Sequence, residues 1–208
     1  MTQTVFEIWA NNTGGSTVTY LNITILEPQT VFSYTSSNLV LTRDSTMTTL
    51  SPNLSGGNAA SWEISQPLPS GLTFNNGVIS GTPTVNMTQT TYTIWANNTG
   101  GSTSASITIT INEPQTIVSY SSTNIILTRD IAIASLHPSV SNGVVETWEI
   151  SPALPSGLTF NNGVISGIPT VNMTQTTYTI WANNTGGSTP TNITISVLEP
   201  QVVFTYSL

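Results

Sequence analysis

Apolar residues fall at every second position over much of the chain. Ile107, Ile109 and Ile111 share one face of a run whose other face carries Thr108 and Thr110. Tyr92, Ile94 and Ala96 alternate in the same way against Thr93 and Trp95. Side chains of an extended strand point to opposite faces in turn, so this period of two predicts strands with one buried and one wet face. The polar run Asn97-Asn98-Thr99-Gly100-Gly101-Ser102 between them predicts a hairpin loop. Earlier in the chain Trp62 and Ile64 share a face, as do Leu72 and Phe74, and Asn75-Asn76-Gly77 predicts a tight turn into Val78-Ile79-Ser80. Pro67, Pro69 and Pro83 interrupt any helical reading, and no stretch keeps the 3.6-residue period of an amphipathic helix.

The pattern repeats. Runs opening at Met1, Met87 and Met173 read MTQTVFEIWANNTGGST, MTQTTYTIWANNTGGST and MTQTTYTIWANNTGGST, 86 residues apart. Trp9, Trp95 and Trp181 keep the interval, as do Trp62 and Trp148 and the Glu-Pro pairs at 27–28, 113–114 and 199–200. A fixed interval of constant content marks one structural unit per repeat. Each unit holds about seven short strands, the count and spacing of an Ig-like β-sandwich. With the Glu-Pro pair as boundary, complete domains are expected at 29–114 and 115–200. Residues 1–28 then supply the last two strands of an incomplete domain, and 201–208 the first strand of a further one. A lone hairpin is marginal in water, and the row Phe6, Ile8, Ala10, Leu21, Ile23, Ile25 would face solvent. The phase suggests a window on a longer array, or else a subunit whose ends neighbours complete.

The run W-E-I-S-x-x-L-P-S-G-L-T-F-N-x-G-x-I-S-G-x-P-T, followed by Y-T-I-x-A-x-N-x-G-G-S and an alternating I-x-I-x strand, resembles the Ig-fold tandem repeat of bacterial and archaeal surface proteins, one of the cadherin-like sandwiches. The likeness covers Trp62 to Ile111 and Trp148 to Val197, with a partial copy in the first hairpin. It implies an all-β chain of tandem Ig-like, cadherin-like sandwiches, in extracellular arrays, adhesins and stalks, with no shared active site. Trp9, Trp95 and Trp181 depart from it, standing where a small polar residue is usual.

Composition narrows the function. Two arginines, no lysine and nine acids leave a net charge of −7 and no basic patch, which argues against nucleic-acid binding, since phosphates need cations. Thr, Ser and Asn make up 84 of the 208 residues, so the polarity is neutral, and β-formers fill the remainder. The absence of cysteine rules out disulfides and thiolate chemistry. No run of about 18 apolar residues occurs, and residues 1–20 lack the pattern of a signal peptide, so an export signal would lie outside this sequence.

Few residues could carry chemistry. His137 is the lone histidine, Ser51 holds its place one repeat earlier, and Glu63 and Glu149 each follow a tryptophan that faces the core. Neither set makes a catalytic constellation, and the chain is expected not to be an enzyme and to hold no cofactor. Calcium is the one metal to consider. Each boundary offers Glu27, Glu113 or Glu199 with Asp44 or Asp130 in the following domain, too few carboxylates for a tight site. Arg43-Asp44 and Arg129-Asp130 read as local ion pairs. Sequons stand at Asn11, Asn22, Asn53, Asn86, Asn97, Asn172, Asn183 and Asn192; Asn11, Asn97 and Asn183 fall at the predicted hairpin loop. Trp9, Trp95 and Trp181 should point outward, toward a partner chain or a stacked sugar. The expectation is a non-catalytic structural repeat of an extracellular or cell-surface filament, fibre or stalk, a rod of end-to-end domains. Its partners would be neighbouring copies or flanking repeats, and possible glycans. The alternative is an adhesin or carbohydrate-binding module using the Trp95-type positions.

Overall fold

A computed structural model describes residues 3–204 of the chain. The described residues form strands and turns only, in two compact units, Met1–Ile111 and Asn112–Leu208. The first unit opens with a hairpin of β1 (Gln3–Asn12) and β2 (Gly15–Thr24). There follow β3 (Thr30–Ser33), β4 (Asn38–Thr42), β5 (Asn53–Gly56), β6 (Ser61–Ile64), β7 (Leu72–Asn75), β8 (Val78–Gly81), β9 (Met87–Asn98) and β10 (Gly101–Asn112). One sheet runs β4-β10-β9-β6; β3 pairs with β5, and β7 with β8. The second unit repeats this as β11 (Ile117–Tyr120), β12 (Asn124–Thr128), β13 (Pro138–Ser141), β14 (Thr147–Ser151), β15 (Leu158–Asn161), β16 (Val164–Gly167), β17 (Met173–Asn184) and β18 (Gly187–Leu198), with sheet order β12-β18-β17-β14.

The repeat carries eight strands, one more than about seven. The strand least visible in the sequence is β5, with β13 in the second unit. Its sequences, Asn53-Leu54-Ser55-Gly56 and Pro138-Ser139-Val140-Ser141, are too short and polar to alternate visibly. They are strands because β3 and β11 offer them a partner. The predicted loop at 97–102 also tightens to the two residues Thr99 and Gly100. Asn98 Oδ1 accepts the Gly100 N–H at 2.8 Å and closes the turn, so both strands run on to its tip.

The alternation builds the core as the sequence predicts. Tyr92, Ile94 and Ala96 of β9 and Ile107, Ile109 and Ile111 of β10 are buried, against Phe32, Leu50, Leu72 and Ile79. Burying such side chains stabilises by roughly 1.5–3 kcal/mol each. The hairpin β1–β2 carries the same row one repeat earlier, uncovered: Ile8 is 49% exposed and Leu21 47%, whereas Ile94 is 0% and Ile107 1%.

Two features recur in both units. Tyr34 Oη donates to Gly77 O at 2.6 Å, and Tyr120 Oη to Gly163 O at 2.6 Å, tying the first strand to the Asn76-Gly77 and Asn162-Gly163 turns. Thr30 and Thr116 are buried with no hydrogen-bond partner for Oγ1. A buried hydroxyl without a partner costs about 1–3 kcal/mol. Thr116→Val is therefore expected to stabilise the second unit by about 1 kcal/mol. An unchanged or lowered denaturation midpoint would show that the hydroxyl is satisfied. The third copy of the position already carries Val202.

Candidate functional site

The strand that buries Tyr92, Ile94 and Ala96 turns Thr93, Trp95 and Asn97 to the outer face of the four-stranded sheet. Trp95 stands opposite Glu63 of β6 on one side and Ser104 of β10 on the other. Asn97 Nδ2 donates to Glu63 Oε1 at 3.1 Å. The second unit repeats the set: Trp181 lies between Glu149 and Pro190, and Asn183 Nδ2 donates to Glu149 Oε1 at 3.3 Å. Both indoles are half-buried on their sheets. Among the described residues no strand equivalent to β6 stands beside Trp9. It is 56% exposed, and its Nε1 donates to Glu7 Oε2 at 3.3 Å. An indole flanked by a carboxylate and an amide offers a flat apolar surface with polar groups at its edge, suited to binding rather than to proton transfer.

Other candidates stand apart from this face. His137 is exposed in the Leu136-His137-Pro138 segment. Among the described residues no three His, Cys, Asp or Glu side chains cluster closely enough to hold a metal. Arg43 pairs with Asp44 at 3.1 Å. Arg129 pairs with Asp130 at 3.2 Å and with Glu199 at 2.8 Å, in a two-pronged contact. Asn172 Nδ2 also donates to Glu199. The Glu199 carboxylate is thus engaged within its own unit.

The sequons differ in accessibility. Asn11, Asn22, Asn53, Asn86, Asn172 and Asn192 are exposed, whereas Asn97 and Asn183 are half-buried with their amides given to Glu63 and Glu149. Asn11, Asn97 and Asn183 lie within β1, β9 and β17, not in a loop.

One site escaped the sequence reading: the clamp between each Glu-Pro-Gln linker and the turn of the domain it enters. Asn98 Nδ2 donates to Pro28 O at 2.7 Å, Glu27 N–H to Thr99 Oγ1 at 3.1 Å, Gln29 Nε2 to Ser102 O at 2.9 Å, and Thr103 Oγ1 to Thr30 O at 2.8 Å. The four recur in the second unit: Asn184 to Pro114 at 2.8 Å, Glu113 to Thr185 at 2.8 Å, Gln115 to Ser188 at 3.0 Å and Thr189 to Thr116 at 2.6 Å. Gly100 and Gly186 make this possible, since a Cβ there would sit 2.2 and 2.1 Å from Glu27 O and Glu113 O. The available signal was that both motifs, E-P-Q and N-N-T-G-G-S-T, keep a constant separation.

Two sheet layers per repeat, closed over a core of alternating apolar residues, define an immunoglobulin-like β-sandwich in tandem. The chain belongs to the family described as "Putative Ig domain", which matches residues 22–112 and 113–198. No match to the chain was found among curated proteins. Among solved structures it is similar to an I-band fragment of titin, with 14% identity, 96% of this chain and 75% of that chain covered, and a TM-score of 0.51. It is also similar to the N-terminal eight Ig domains of Down Syndrome Cell Adhesion Molecule, with 13% identity, 92% of this chain and 27% of that chain covered, and a TM-score of 0.50. At such identities the likeness is one of fold.

Proposed function

We propose that the chain is a non-catalytic structural repeat of an extracellular filament, fibre or stalk. The observation that carries this reading is the linker clamp: a proline-containing connection bonded to the domain it enters has little slack. The near-uncharged Thr/Ser/Asn surface suits the same setting, since little repulsion opposes close packing of neighbours. The exposed sequons, Asn53 and Asn192 among them, would carry glycans in a host that attaches them. Electron microscopy of native material tests the reading. A fibre with one bead per 86-residue repeat is expected; isolated globules would count against it.

A second reading has its own observation, the Trp95, Glu63 and Asn97 set. A sugar ring stacked on the indole would find a carboxylate acceptor beside it, as in an adhesin. Binding on a glycan array that survives the double change Trp95→Ala and Trp181→Ala would exclude these tryptophans as the platform.

A further inference from the structure

Only nine acids stand in the chain, and three of them lie beside its three outward tryptophans. Glu63 of β6 is the cross-strand partner of Trp95, and Glu149 of β14 that of Trp181. Trp9 gains its carboxylate by another route. Glu7, two residues earlier on the same face of β1, accepts the Trp9 Nε1–H at 3.3 Å, at a position that the other copies fill with Thr93 and Thr179. The remaining acids lie in the linkers, beside the arginines or, for Glu146, in the approach to β14. The chain has no lysine, and its arginines pair elsewhere. Arg43 pairs with Asp44 beyond β4, at the opposite edge of the sheet from β6, and Arg129 with Asp130 and Glu199. Asn97 Nδ2 holds Glu63 Oε1 at 3.1 Å, and Asn183 Nδ2 holds Glu149 Oε1 at 3.3 Å. Each amide orients its exposed carboxylate and leaves the second oxygen for a donor from outside.

We infer that each Trp–Glu pair binds an amino sugar, a hexosamine unit whose free amine is protonated. This ligand class rests on the reading of these tryptophans as a glycan platform. The C–H face of the pyranose stacks on the indole, and the ammonium donates to the open carboxylate oxygen. The ammonium then also lies within the attraction of the indole π-system for a cation. Charge selects the class. A neutral sugar offers the carboxylate only hydroxyl donors, and an acidic one is repelled by it and by the net charge of −7. Shape excludes other cations. A quaternary ammonium has no N–H for the carboxylate, and each site presents one indole on an open sheet in place of a cage of rings. A lysine side chain supplies the ammonium but has no flat face to cover the indole. One shallow site per repeat suits a polymeric glycan, whose binding gains by avidity wherever two sites are engaged at once.

The test compares two probes on the full chain at mildly acidic pH: a hexamer of β-1,4-linked glucosamine and its fully N-acetylated counterpart, which keeps the backbone and lacks the charge. In titration calorimetry the amine form should bind about ten-fold tighter or more, and raising the salt to physiological strength should remove most of that advantage. Glu7→Gln, Glu63→Gln and Glu149→Gln together keep the shape and remove the charge. They should bring the amine form down to the affinity of the acetylated form and leave the latter unchanged. Trp9→Ala, Trp95→Ala and Trp181→Ala together should abolish binding of both. Retained amide protection in β10 and β18 shows that the variants are folded. Equal binding of the two hexamers by the unmodified chain would overturn the amino-sugar assignment and leave the platform standing, whereas binding of neither would overturn both. A preference for the amine that survives the three glutamines would place its recognition elsewhere. An oligolysine that binds as tightly as the amine hexamer, and keeps doing so without the tryptophans, would show that charge alone suffices and would equally sink the assignment.

Discussion

Gly157→Ala is expected to unfold the second unit under conditions where the first stays intact. Gly157 has φ +91°, a backbone state that side chains other than glycine's occupy only under strain. A Cβ there would sit 1.8 Å from Ile168 O, which is backbone and cannot rotate away. The same stretch holds Ile168 N–H on Gly157 O at 2.9 Å and Leu158 N–H on Pro155 O at 3.1 Å. Relieving the overlap therefore breaks the bracket that starts the β15–β16 hairpin and carries Leu158 and Ile165 into the core. Strain and lost contacts together should cost about 4 kcal/mol or more, at the extreme of single substitutions. Hydrogen exchange can read the two units separately, because the peptides around Ile107–Ile111 and Ile193–Val197 differ in sequence. Exchange in β18 should rise toward that of an unfolded chain while β10 stays protected. A loss under about 1 kcal/mol would mean that the bracket gives way freely and that its geometry is not a constraint.

That bracket was partly legible beforehand. L-P-S-G-L-T-F-N-N-G-V-I-S-G is dense in turn residues and recurs unchanged, and Asn76-Gly77 announces its turn type from composition alone. The faces of β9 and β10 were legible for the same reason, because a strand's period of two is a local property of Tyr92-Thr93-Ile94-Trp95-Ala96. What could not be read depends on register between distant segments. Glu63 comes to stand beside Trp95 only because β6 pairs with β9 in one particular alignment. Nothing near Glu63 encodes that. The clamp of Asn98 on Pro28 joins residues 70 apart, and β5 exists only through β3. Asn97 shows the limit at its finest. Sequence placed it in a loop open to glycan attachment, and the side chain of the next residue, Asn98, extends the strand past it.

Stability should also fall steeply in alkali, between about pH 10 and pH 12, and the tyrosines on the turns say why. Burial pushes the Tyr120 phenol from 10.0 up to about 12, and Tyr34 likewise; burial also raises Tyr92 and Tyr178. Below pH 10 the folded and unfolded chains both keep these protons, and the full stability is present. Above it the unfolded chain ionises first and so binds fewer protons than the native one, and stability declines until the folded groups titrate as well. A shift from 10.0 to about 12 at Tyr120, which is only 8% exposed, corresponds to about 2–3 kcal/mol lost from the second unit by pH 12. Tyr34 is more accessible to solvent and should give the first unit a smaller loss. Tyr120→Phe separates this effect from general alkaline damage. At neutral pH it should cost about 1 kcal/mol, because Gly163 O loses its donor. Above pH 10 the slope of the second unit's stability with pH should become shallower by one proton. The two curves should therefore converge and then cross. Parallel curves would show that the Tyr120 proton is not what holds the first strand to its turn in alkali.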